Sequence, residues 1–99
     1  VRYLIEYSKP ALQDLDELEG YLRTVAGDAV ADLIVREILD AVESLHNRPA
    51  RQRPRDELVA GLRAIPVRNY MVFFRIDADT VRIVRILHGS RNITAKMFR

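Results

Sequence analysis

Ninety-nine residues, 48% of them hydrophobic, suffice for one small domain with a single core, and too few for two. Cysteine is absent, which excludes a disulfide framework and a thiolate metal site, and no apolar run approaches the ~18 residues of a membrane span. The net charge of +2 conceals an asymmetry: residues 1–45 carry four basic and ten acidic side chains, a balance of −6, whereas residues 46–99 carry twelve and four, a balance of +8. A split of this kind points to a charged partner, or to two halves that pair with each other.

Residues 2–7 alternate, with Tyr3, Ile5 and Tyr7 on one face and Arg2, Leu4 and Glu6 on the other, and predict a short strand. Nothing resembling a signal peptide stands before it, so a cytoplasmic location is expected. Ser8 offers an N-cap and Pro10 suits a first helical turn. Ala11, Leu15, Leu18, Leu22 and Val25 then step by three and four as one apolar stripe, with Asp14, Asp16, Glu17 and Glu19 expected on the solvent side. Gly27-Asp28 ends this helix and opens another, in which Val30, Leu33, Ile34, Ile38, Ala41, Val42 and Leu45 keep helical spacing. So short a connection requires an antiparallel helical hairpin. His46, at the helix end, reads as a C-terminal cap.

Residues 48–57 have no period and read as a basic loop, in which Arg48, Arg51, Arg53 and Arg55 serve phosphate contact or, more commonly for such runs, are simply solvated. Three β-segments follow, at 62–67, 70–76 and 81–88, the last two joined by a tight turn over 77–80. The fold class is therefore α+β over the whole chain: an N-terminal strand, an antiparallel helical hairpin, then a three-stranded antiparallel sheet with the helices on one face. Along the last strand Val81, Ile83, Arg85 and Leu87 alternate with Arg82, Val84, Ile86 and His88, so both faces are partly apolar. One face awaits the helices; the other has no cover evident within the chain and is expected to meet a partner or a second copy.

Arginines recur inside these strands, where a guanidinium resists burial unless paired. Arg63 and Arg75 flank the Tyr70 strand and Arg91 ends the sheet. They suit a carboxylate- or phosphate-bearing partner, while Arg63 or Arg85 has the alternative of pairing with an acidic residue of the helices. His88 lacks a second catalytic group nearby in sequence, which favours hydrogen bonding or packing over general-base work. Two histidines do not make a metal site. Phe73 and Phe74 point to opposite faces, so at least one belongs to the core.

The pattern Leu62-Arg63-x-Ile65-Pro66-Val67-x-x-Tyr70-x-Val72-Phe73-Phe74-Arg75, followed by Val81-x-Ile83-x-Arg85-Ile86-Leu87-His88-Gly89-Ser90-Arg91, resembles the ParE branch of the ParE/RelE toxin superfamily. The opening Tyr7-Ser8-x-Pro10-Ala11 with Leu15 and the two amphipathic helices extend the resemblance to nearly the whole chain. It implies a toxin of a bacterial type II toxin–antitoxin system that poisons DNA gyrase by trapping its DNA cleavage complex. It also implies a hetero-oligomer with a cognate ParD-like antitoxin, whose C-terminal segment wraps the toxin. Contact with DNA would then be indirect, through antitoxin and gyrase, with no membrane partner and no cofactor.

RelE-type relatives instead cut messenger RNA on the ribosome. That chemistry needs a base, an acid and cations on the scissile phosphate. Aligned by the shared tyrosine and glycine, the RelE lysine positions fall near Ala64 and Pro66, an arginine position on Met71 and a C-terminal tyrosine near Met97. Arg91 alone matches, and the chain's lysines are only Lys9 and Lys96. The expectation is a binding toxin with no catalytic residues, with Arg63, Tyr70, Arg75, His88 and Arg91 toward the target and Leu18, Tyr21, Leu22, Val25 and Leu33 toward the antitoxin. The alternatives are a RelE-type endonuclease and an inactive, antitoxin-bound corepressor.

Overall fold

The computed structural model describes residues 2–98. Strand β1 (Leu4–Tyr7) leads into helices α1 (Lys9–Ala26) and α2 (Asp28–Ser44). A 3₁₀ turn (Pro49–Arg51) and a two-residue strand β2 (Arg53–Pro54) precede β3 (Leu62–Val67), β4 (Tyr70–Asp77) and β5 (Thr80–His88), and a 3₁₀ helix (Ala95–Phe98) closes the described chain. The strands form one sheet in the order β1-β5-β4-β3-β2. The expected antiparallel meander of β3, β4 and β5 is present. The whole sheet is mixed: the helices carry the chain from β1 to the far edge, and the meander brings β5 back to lie parallel to β1. The segment expected to be only a loop supplies the short edge strand β2, paired with Arg63 and Ala64.

Ser8 caps α1 by accepting from Ala11 N at 3.1 Å, with Pro10 in the first turn where its missing N–H costs nothing. Gly27, at φ 91°, separates the helices alone, in backbone that favours glycine. Arg23 spans the hairpin, donating to Glu19 (2.6 Å), Asp32 (2.7 Å) and Asp28 (3.2 Å). The paired faces bury Ala11, Leu18, Leu22, Ala31, Ile38 and Val42 on Val72, Phe74, Val81, Ile83 and Ile86 of the sheet. Val25, Val30 and Leu33, expected in the apolar stripes, are instead exposed. Every residue of 24–30 is exposed, so the hairpin tip projects beyond the sheet that would cover them.

Three further expectations need correction. Asp14 is not on the solvent side but buried, because it lies on the stripe, three residues after Ala11 and four before Leu18. His46 does not cap its own helix with its ring. Nδ1 bonds Tyr3 O at 2.6 Å and its carbonyl accepts from Tyr3 N at 2.8 Å, fastening β1 to the end of α2. The second sheet face is not bare, since Leu58, Val59, Ile93, Met97 and Phe98 pack over Leu62, Ala64, Phe73 and Leu87. Phe98 meets Phe73 edge-on with ring centroids 4.9 Å apart, and the Arg55 guanidinium lies 5.6 Å from the same ring. Both Phe73 and Phe74 are therefore core residues, on opposite faces.

A β-bulge breaks the alternation expected along β5. Phe73 opposes Arg85 while Phe74 opposes Ile83, which leaves Val84 as the extra residue. Beyond it the faces exchange, so Ile86 joins Val81 and Ile83 under the helices and Leu87 faces the opposite side. β1 ends opposite Ile83, and the outer edge of β5 beyond that point is closed by side chains of the first helix and its cap. Ser8 Oγ donates to Val84 O at 2.8 Å, and the Asp14 carboxylate accepts from Ile86 N at 3.0 Å.

Candidate functional site

The bulge and the edge closure shape a groove of about 750 Å³ where the C-terminal end of β5 meets the hairpin. Leu18, Leu22, Ile34, Tyr70 and Ile86 give it an apolar lining. Glu17 and Tyr21 come from α1, Arg68 and Asn69 from the β3–β4 turn, and His88, Ser90 and Arg91 from the end of β5 and the turn after it. One wall is fixed by an ion pair: Arg85 donates to both Asp14 oxygens, at 2.6 and 2.8 Å, and to Met97 O at 2.8 Å. The pairing of Arg85 with a helical acid is thus the alternative the structure adopts.

The His88-Gly89-Ser90-Arg91 turn has a definite geometry. Gly89 N donates to Asn69 O at 2.6 Å, and a Cβ on Gly89 would come within 3.3 Å of that carbonyl, a close approach that glycine eases. Arg91 N donates to His88 O at 3.1 Å. Tyr70 meets the His88 ring edge-on, centroids 5.2 Å apart. Burial, with Tyr21 adding to it, raises the Tyr70 phenol above its ordinary value, so it stays protonated. Arg68, at φ 53°, is held by two bonds to Glu37, at 2.6 and 2.8 Å. Among the described residues, the Arg91 guanidinium enters no ion pair.

The groove gathers Tyr70, His88 and Arg91 of the expected target contacts, and Leu18, Tyr21 and Leu22 of the expected antitoxin contacts. Leu18 and Leu22 are mainly core, whereas Tyr21 is 63% exposed. Val25, on the hairpin tip, and Leu33, exposed on α2, do not line the groove. Arg63 is elsewhere, donating to Ala50 O at 3.1 Å and Gln52 O at 2.9 Å, where it staples the chain after α2. Arg75 is exposed on the Leu62 face, opposite Arg82 in register. Sequence reading missed Glu17, Ile34, Arg68 and Asn69, which only the tertiary fold brings here. Among the described residues, no three metal-ligating side chains cluster and no helix is long and apolar enough to cross a membrane.

The fold resembles solved toxin–antitoxin structures. It superposes on a chain of the chromosomal ParDE system of P. aeruginosa with a TM-score of 0.78, covering 88% of this chain and 96% of that one at 21% identity. The RelBE2 toxin–antitoxin complex of Mycobacterium tuberculosis gives 0.65 at 25% identity over 89% and 99%. An E. coli RelE mutant in the free state gives 0.60 at 11% identity over 91% and 86%. The fold is thus that of ParE/RelE-type toxins. Residues 5–93 match the family described as ParE toxin of type II toxin-antitoxin system, parDE. Toxin ParE3 of Caulobacter vibrioides is 30% identical over 90 residues, 91% of this chain and 90% of that protein. The chain belongs to the ParE toxin family.

Proposed function

We propose that this ParE-type toxin acts on DNA gyrase by binding, holding the gyrase–DNA cleavage complex so that a transient double-strand break persists, and that a cognate ParD-like antitoxin neutralises it. Membership of the ParE family, across residues 5–93, carries the reading. The groove supports it. His88 and Arg91 supply a ring N–H or lone pair and one unpaired cation among the described residues, while Arg68 is engaged by Glu37 and neither Lys9 nor Lys96 lines the cavity. That set suits recognition of a polar or anionic surface better than RNA cleavage, which needs base, acid and several phosphate-holding cations together. In this reading Tyr70, His88 and Arg91 meet the target, with Arg75 on a separate surface, and Arg63 belongs to the fold. The apolar groove lining and the exposed Tyr21, Val25 and Leu33 serve the antitoxin, which would form a hetero-oligomer with the toxin in the cytoplasm and link it to DNA only indirectly.

Induced expression in a bacterial host tests this. Growth arrest with chromosomal double-strand breaks and intact messenger RNA is expected, and coexpression of the antitoxin should abolish it. Arrest with codon-linked cuts in translated messages and unbroken DNA would replace the reading with a RelE-type endonuclease. No arrest would favour an inactive, antitoxin-bound corepressor.

A further inference from the structure

Two contacts from Ser90 bear on which ring nitrogen of His88 holds the proton. The main-chain N–H of Ser90 points at His88 Nδ1 over 3.1 Å, and an amide N–H can only donate. The Ser90 hydroxyl lies 2.6 Å from the same nitrogen. The amide contact calls for a lone pair on Nδ1, which the hydroxyl can share as a second donor, and this places the neutral ring's proton on Nε2. Since Nδ1 is engaged within the turn and the ring lines the groove, Nε2 is the polar atom left to face a bound partner. The Tyr70 edge and the Gly89–Asn69 bond keep the ring and the turn in this arrangement.

We propose that Ser90 is a positioning residue that holds His88 as an Nε2–H donor, so that the ring offers the bound macromolecule a hydrogen bond to an acceptor oxygen and not a base. Turning the ring to present a lone pair would break both bonds from Ser90. The tautomer stands on the geometry alone. Only its use against a target rests on the toxin reading.

Two measurements test the proposal on the full chain. In long-range proton–nitrogen correlation spectra at a pH where His88 is neutral, Nε2 should give a pyrrole-type signal and Nδ1 a pyridine-type signal shifted by hydrogen bonding. Ser90→Ala should move the Nδ1 signal part of the way toward free imidazole, because the main-chain donor remains, and Ser90→Thr should restore it. A pyrrole-type Nδ1 in the wild-type chain, or an Nδ1 signal unmoved by Ser90→Ala, overturns the assignment. In growth-arrest titrations, His88→Gln, which keeps an N–H donor at about the reach of Nε2, should retain more activity than His88→Ala. His88→Ala should need about fivefold more inducer or fail, the factor of one lost hydrogen bond. Equal loss in both variants, or no loss in either, overturns the donor role. A wild-type chain that causes no arrest removes the toxin reading, and the spectra still decide the tautomer.

Discussion

Removing the Asp14 carboxylate should damage this fold more than any exposed charge change, because three bonds converge on it. Its side chain is 8% exposed and that of Arg85 18%, so the pair is close to a buried one. Breaking a buried pair from one side costs about 3–5 kcal/mol, mainly through the charge left without a partner. In Asp14→Ala the amide of Ile86 loses its acceptor as well, and the expected loss is about 4 kcal/mol. Asp14→Asn retains an oxygen for that amide and a neutral bond to the guanidinium, so about 2 kcal/mol is expected. At roughly 4–8 °C per kcal/mol for a domain of this size, the alanine variant should melt at least about 16 °C below wild type. Urea unfolding with wild-type m-values, read as midpoint shifts, gives the free energies. Less than about 1 kcal/mol for Asp14→Ala, or equal costs in the two variants, would refute the reasoning that charge pairing and the Ile86 amide act together at this edge.

Phe98→Ala should cost about 1–2 kcal/mol, below the value for a fully buried phenylalanine because Phe98 is only partly covered, and should increase binding of an apolar dye to the second sheet face. Unchanged stability and dye binding would mean that the C-terminal segment does not cover that face. Hydrogen bonds from Arg68 hold the Glu37 carboxyl below its ordinary value of 4.5. Its stabilising contribution is therefore present above 4.5 and lost as pH falls through the lowered value. The melting-temperature gap between wild type and Glu37→Gln should be widest near neutral pH and close in acid; a gap independent of pH would contradict this. Gly89→Ala pushes a methyl to 3.3 Å from the Asn69 carbonyl and should cost about 1 kcal/mol, measured by thermal melting, with no cost if the turn opens freely.

Local signals in the sequence were enough for β1, the two helices and β3–β5, but not for the two-residue strand β2. Ser8 and Pro10 mark the start of α1, Gly27 its end, and the β3–β5 segments stand out by composition and by the turns between them. The faces were harder to read, because three features depend on contacts distant in sequence. The bulge at Val84 falls in Val81-Arg82-Ile83-Val84-Arg85-Ile86-Leu87, whose consecutive apolar pairs fit either face, and it exchanges the faces of Ile86 and Leu87. Asp14 sits at core spacing, but polarity assigned it to solvent until Arg85, 71 residues away, supplied its partner. The cover of the second face comes from Ile93, Met97 and Phe98, too short and irregular a stretch to show a period. The groove was legible in part. Tyr70, His88 and Arg91 stand out by residue type and motif, whereas Glu17, Ile34 and Arg68 become neighbours only when the hairpin lies on the sheet.

Purified components test most directly the proposal that this toxin binds gyrase and holds its DNA cleavage complex. The protein is added to gyrase and supercoiled plasmid with ATP, and the products are separated after detergent and protease treatment. Linear DNA that rises with toxin concentration and loss of supercoiling activity are expected, with a marked fall in both effects for Arg91→Ala. Full supercoiling with no linear product at toxin concentrations that arrest growth would contradict it.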